Sequence, residues 1–394
     1  MGQGQARRRR ARRVSGSPVA LGGHCHPGFE PVRAAFQSNF DRSLEAGASV
    51  AVSVAGEMVV DLWGGRRNEA GDPWERDTLV NLYSTSKTMT ALALMVLADR
   101  GQVDLDAPVA RYWPEFAANG KAEVKVRHLL GHTAGLPGWD EPIVEADLYD
   151  WQKVTSLLAA QAPWWTPGEG SGYHAVTQGY LLGEVVRRVT GQAFGTFFRD
   201  EIAGPVGADF YFASPPEVDA RVARLIPPKT RAGDAATAGM ARRVFRNPYE
   251  RAEWSWSEAW RRADIPACNG LGNARSIARL QSVLVCGGPA DVPRLLSARG
   301  GEAVLTEQSN GPDLVVGAHL RFGLGYGLGE APESRVCFWG GWGGSMVWLD
   351  FDRQMVVAYA MNLMSDGSFI GERTRPLIGA ATRCVDRGMS SASG

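Results

Sequence analysis

The sequence predicts an α+β fold: an antiparallel sheet built from both ends of the chain, flanked by helices and interrupted by an inserted helical lobe. Three observations carry this. Residues 48–63 hold two β-rich arms around a turn at Gly56, which is a hairpin pattern. Near the other end, Met346–Leu349 and Met355–Met361 repeat that pattern around Asp350-Phe351-Asp352-Arg353. Between them the apolar spacing is mostly helical, at Thr88–Arg100, Trp151–Ala160, Thr177–Thr190 and Asn273–Val285. Strands at both ends and helices in the middle place one sheet around one insertion. We expect a basic, disordered tail over 1–26, a folded unit over 27–394, and the lobe inserted at about 90–265. Asp104–Pro108, Thr133–Gly138 and Pro163–Gly172 carry the Gly, Pro and Asp punctuation of loops. Pro215–Pro266 is charged, rich in Trp and without a clear period.

Composition narrows the class. Of 394 residues, 44% are hydrophobic and 21% charged, enough to build a core and too apolar for a disordered chain. Lys plus Arg equals Asp plus Glu at 42 each, so no basic surplus points to nucleic acid or an anionic membrane. No run approaches the roughly 18 apolar residues of a membrane span. The one charge cluster, Arg7–Arg13, is followed by Ser, Pro and Gly rather than the sustained apolar stretch of an export signal. Cys25, Cys268, Cys286, Cys337 and Cys384 are odd in number and scattered, which reads as reduced thiols of a cytoplasmic protein. His128 and His132 stand four apart, but residue 129 is Leu, so no His-Glu-x-x-His metal motif exists; neither metal nor cofactor is expected.

The chemistry concentrates at three places. Ser84-Thr85-Ser86-Lys87 precedes Thr88–Ala98, which is apolar on nearly every face and therefore a buried helix. A serine there lies near the positive end of the helix dipole, and Lys87 falls one turn further on the same face. Burial would disfavour its ammonium and make it a proton acceptor for an otherwise weak nucleophile. The spacing alone is unspecific: 24 serines and 5 lysines give roughly 0.3 such matches by chance. A capping Ser followed by a surface Lys would look the same. Second, Tyr173 follows a Gly-rich loop and precedes a helical pattern, where a phenol can relay a proton or merely close the loop. Third, Trp339-Gly340-Gly341-Trp342-Gly343-Gly344 enters a strand. Glycines there let a ligand approach backbone N–H groups, or mark a bulged edge.

In this order and at these separations, the three sites resemble the serine β-lactamase and penicillin-binding-protein superfamily. Ser84-x-x-Lys87 matches its first motif, Tyr173 leads its second, and Trp339-Gly340-Gly341 stands in place of its Lys-Thr-Gly triad. His128–Pro137, Gly101–Val109 and Asn269–Ser276 also look like the family, and the likeness extends over about 28–380. Two departures refine it: Ala175 replaces the Asn that holds a lactam's amide, and Trp339 replaces the cation that attracts its carboxylate. Trp-x-Gly is similar to the family VIII carboxylesterases. The resemblance implies a β-lactamase-like fold and an acyl-enzyme on Ser84, with Lys87 and Tyr173 as a coupled base. It also implies an oxyanion hole from the N–H groups of Ser84 and Trp342. Trp339, Gly341, His174 and Trp165 are the expected substrate contacts, with uncharged, partly apolar small-molecule esters as substrates. The alternative is a transacylase passing the acyl group to an amine or alcohol acceptor, with Trp254, Trp256 and Trp260 as an acceptor wall. A β-lactamase or peptidase, or a silent binding protein, ranks behind both. No Gly-x-Ser-x-Gly elbow supports an α/β-hydrolase.

Overall fold

A computed structural model describes residues 19–392 apart from 231–232, 290 and 367–369; the Arg7–Arg13 run lies outside the described residues. The chain opens with strand β1 (Gly22–Cys25) and then makes the expected hairpin from β2 (Gly47–Val54) and β3 (Glu57–Gly65). Ala55 and Gly56 join them with φ of 50° and 85°, the two left-handed residues of a turn whose twist matches that of paired strands. A Cβ on Gly56 would lie 2.6 Å from the Gly288 carbonyl oxygen, so glycine is required there twice over.

The chain leaves this sheet at Gly65, makes a small two-stranded pair from β4 (Val80–Asn81) and β5 (Leu271–Gly272), and returns through β6 (Ser309–Pro312), β7 (His319–Phe322), β8 (Gly327–Leu328), β9 (Val336–Gly340), β10 (Met346–Asp350) and β11 (Met355–Met361). Strand β11 pairs antiparallel with β2, Met355 facing Val54 and Met361 facing Ala48. The nine-stranded order β1-β3-β2-β11-β10-β9-β8-β7-β6 therefore joins both termini in one sheet. The excursion from it, residues 66–308, is longer than the expected lobe.

Helices cover both faces, among them α1 (Glu30–Asp41), α2 (Ser86–Asp99), α3 (Trp151–Ala160), α4 (Thr177–Thr190), α5 (Ala274–Cys286) and α6 (Arg375–Ala392). Because side chains alternate along a strand, Ser49 and Val50 face opposite ways. Ser49 Oγ accepts the Ala274 N–H at the start of α5. Tyr359, paired with Val50, bonds Glu45 on the face covered by α1 and α6. Helix α2 is buried from Ser86 through Leu97. Each of its large apolar side chains contributes about 1.5–3 kcal/mol by burial, which holds the first turn of α2 in one place.

The tail expected over 1–26 is cut short by β1, whose Cys25 pairs with Val60. Two glycines in four residues hide that strand from any periodicity argument.

Candidate active site

The first turn of α2 is assembled from three directions. The Leu82 N–H donates to Gly270 O at 2.9 Å, continuing the β4–β5 pairing. Asn81 Nδ2 donates to Cys268 O, and its Oδ1 accepts from Trp260 Nε1 at 2.9 Å. Tyr83 then takes φ 44°, a conformation that costs a bulky residue energy, and turns the chain into the short helical turn Tyr83–Thr85 ahead of α2. Its neighbours are fully committed. Ser345 Oγ donates to Leu82 O, so Thr85 Oγ1 donates to Ser345 Oγ, both at 2.9 Å. Ser86 Oγ accepts the Gly270 N–H at 2.9 Å. Among these hydroxyls only that of Ser84 borders the main cavity.

Lys87, one turn along α2 and 1% exposed, places Nζ 2.9 Å from Ser84 Oγ, 2.5 Å from Ala175 O and 3.2 Å from Ala267 O. Carbonyls can only accept, so two of the lysine's N–H bonds are spent on them. Whatever remains on Nζ faces Ser84: a third N–H in the ammonium, a lone pair in the amine. Tyr173 Oη lies 2.7 Å from the same serine oxygen, and Nζ stands 5.0 Å from the centre of its ring.

Tyr173 is held from behind. Its N–H donates to Asp313 Oδ1 at 3.1 Å, and the same oxygen accepts from Val315 and Val316, both at 2.9 Å. Its ring packs on His132 and Trp339, with centres 5.2 and 5.5 Å away. His132 Nδ1 accepts the His174 N–H, while His174 Nδ1 faces Gly172 O at 2.6 Å and its Nε2 accepts the Leu136 N–H. Facing a carbonyl, His174 Nδ1 must carry the proton, so the ring is neutral; burial lowers its pKa to about 3. Burial likewise pushes His132 well below the usual histidine range. These histidines brace the Tyr173 loop.

Opposite the serine, β9 ends at Gly340 and Gly341–Ser345 turns into β10. A Cβ on Gly341 would stand 2.1 Å from Leu82 O and 2.6 Å from Ser345 Oγ, so its glycine lets this turn touch the serine turn. The Trp342 N–H has no hydrogen-bond partner among the described residues, and Trp342 borders the cavity. The Ser84 amide belongs to a helix start, whose first N–H groups lack intrahelical acceptors. The cavity, about 840 Å³, falls within the range of small-molecule sites. Tyr83, Phe245, Leu328, Phe338 and Trp339 make its apolar wall.

Of the expected substrate contacts, Trp339 and Gly341 border the cavity, as does Trp342 of the expected oxyanion hole. His174 and Trp165 do not, and their expected role is corrected. His174 is fully buried behind Tyr173. Trp165 packs on Gly172 and His174, donates to Gly170 O, and lines a separate hollow. The tryptophans of the expected acceptor wall are tied elsewhere: Trp256 Nε1 donates to Leu225 O and Trp260 is the buried partner of Asn81. Trp254 packs on Trp260. Two groups escape sequence reasoning. Asp313 sits in a loop and Glu250 in the irregular segment, and neither belongs to a motif or a period.

A sheet joined from both termini, a Ser-x-x-Lys turn with a phenol on the serine oxygen, and a glycine-rich strand entry facing it define the architecture of serine β-lactamases and penicillin-binding proteins. The chain belongs to the Beta-lactamase family, whose model matches residues 36–380. It is 35% identical over 370 residues to the esterase/beta-lactamase LipL of Mycobacterium tuberculosis, covering 86% of this chain and 82% of the relative. Among solved structures, a family VIII carboxylesterase is 41% identical with a TM-score of 0.87, covering 93% of this chain and all of that one. A penicillin-binding protein homologue from Caulobacter crescentus is 36% identical with a TM-score of 0.85, at the same coverage.

Proposed function

We propose that the chain is a serine carboxylesterase working through an acyl-enzyme on Ser84. One observation carries the reading: Ser84, alone of the serines and threonine packed at this turn, borders the cavity, while Lys87 Nζ and Tyr173 Oη lie within hydrogen-bond reach of its Oγ. With two N–H bonds fixed on Ala175 and Ala267, a neutral Lys87 aims its lone pair at the serine proton. A charged Lys87 instead leaves that proton to the Tyr173 oxygen. The two groups act as one proton-handling unit, and Tyr173 is placed to return the proton to the departing alcohol. The free Trp342 N–H and the Ser84 N–H are the donors this reading assigns to the developing oxyanion. Water then releases the acid.

The wall supports the substrate class. Trp339 brings no charge, Ala175 no amide donor, and the Arg321 guanidinium is spent on Glu307, Gly329 O and Ala331 O. Esters without a carboxylate fit; penicillins and cephalosporins lack their anchors and should react far more slowly. Five free cysteines support a reducing, cytoplasmic setting, and no helix among the described residues is long and apolar enough to cross a membrane. Product partitioning tests hydrolysis: one short-chain ester is supplied with a panel of millimolar amines and alcohols. Free acid should dominate with every acceptor. A single acceptor that captures most of the acyl group with saturable dependence would make the chain a transacylase.

A further inference from the structure

Glu250 is a carboxyl group without an obvious employer. It borders the cavity that Ser84, Tyr83, Cys268 and Ala175 also line, within electrostatic reach of Lys87. Its Oε1 is sealed from solvent and has no hydrogen-bond partner among the described residues. Leaving a buried carboxylate oxygen unpaired is costly, more so than for a neutral group. Burial pushes this carboxyl up to about 7, opposed by attraction to Lys87. The neighbouring Cys268 offers it only a thiol, a weak donor.

The surroundings say which ligand would satisfy it. Among the described residues, the cavity wall also carries Glu330 and Asp366, while its one arginine, Arg321, is paired with Glu307. The wall therefore holds a surplus of negative charge in an otherwise apolar space, which favours a cation. A hydroxyl would give Glu250 a hydrogen bond but leave that surplus in place. A protonated amine would supply both a donor and a charge, and charge-assisted bonds are about twice as strong as neutral ones.

We propose that Glu250 is a recognition site for a protonated amine, so that the preferred substrates are esters carrying an ammonium group in their acyl or alcohol part. This rests on the esterase reading above and departs from the uncharged-ester expectation. The amine meets the Glu250 carboxyl where that residue borders the cavity, Oε1 itself being sealed, while the ester carbonyl faces Ser84, and no step of the chemistry changes.

The experiment uses the full chain and two chain-length series of esters at neutral pH. One series carries a dimethylamino group in the acyl part and the other in the alcohol part, each paired with its isostere bearing isopropyl instead. The readout is the ratio of kcat/KM for amine over isostere, which does not depend on the fraction of folded enzyme. Wild type should prefer the amine by about ten- to a hundredfold in at least one series. Glu250→Gln, which keeps the shape and removes the charge, should bring that ratio to near one. A ratio near one for wild type in both series overturns the proposal without any variant, and so does a preference that survives Glu250→Gln. If wild type turns over neither amine nor isostere, the esterase reading itself fails, a separate and recognisable outcome.

Discussion

The two sides of the Ser84 oxygen are built to different rules. On the base side the groups next to the serine are bonded: Lys87 touches two carbonyls and the serine, Ser86 and Thr85 are bonded away from the cavity, and Asn81 is pinned at both ends of its amide. On the cavity side the Trp342 N–H and Glu250 Oε1 have no partner among the described residues. Saturated hydrogen bonding fixes geometry, which proton transfer over 2.7–2.9 Å requires. Unspent donors and acceptors await charge or polarity that only a bound molecule brings. One side thus stores precision and the other stores selectivity.

The largest expected effect breaks the closed side. Lys87→Ala and Tyr173→Phe should each lower kcat by about 10³-fold, and the double variant should lose little more, because the groups serve one proton. Steady-state kinetics of all three variants check this; additive losses would split the pair into independent roles. Next comes the seam between the sides. Gly341→Ala must push the Trp342 turn away from Leu82 O, lowering kcat by about 10²-fold through the oxyanion site and stability by about 1–3 kcal/mol. Ester kinetics beside a denaturant melt separate the two losses. The smallest effect lies outside both sides. Trp256 stacks under Arg224 at 3.8 Å and bonds Leu225 O, so Trp256→Phe should cost about 1 kcal/mol of stability while KM for esters and acceptors changes less than twofold. A large rise in an acceptor's KM would restore the expected acceptor wall.

What the sequence disclosed follows the same division. Ser84 and Lys87 are readable because three residues of helix always bring two side chains to one face, and an apolar run announces that helix. Thr177–Thr190 and Trp151–Ala160 come out at the expected bounds for the same reason. The β2–β3 hairpin is readable from its turn chemistry. Placement of Tyr173 and Trp342 follows from motif order. His174 and Trp165 mislead because loop residues beside a motif can point either way: the path of the Pro163–Gly172 loop turns both behind Tyr173. Strands β6–β8 are too short for periodicity to register, the longest having four residues. Glu250 comes to the cavity through contacts between segments far apart in the chain, and no local pattern encodes such a meeting.

Whether Ser84 carries the acyl group is read by intact-mass spectrometry after mixing with a slowly released ester. One added acyl group is expected, and peptide mapping should assign it to Ser84. Ser84→Ala should lack it while melting as cooperatively as wild type, since the change deletes only an oxygen that faces the cavity. An adduct on Ser86, Ser345 or Cys268, or ester turnover by Ser84→Ala at the wild-type rate, would contradict it.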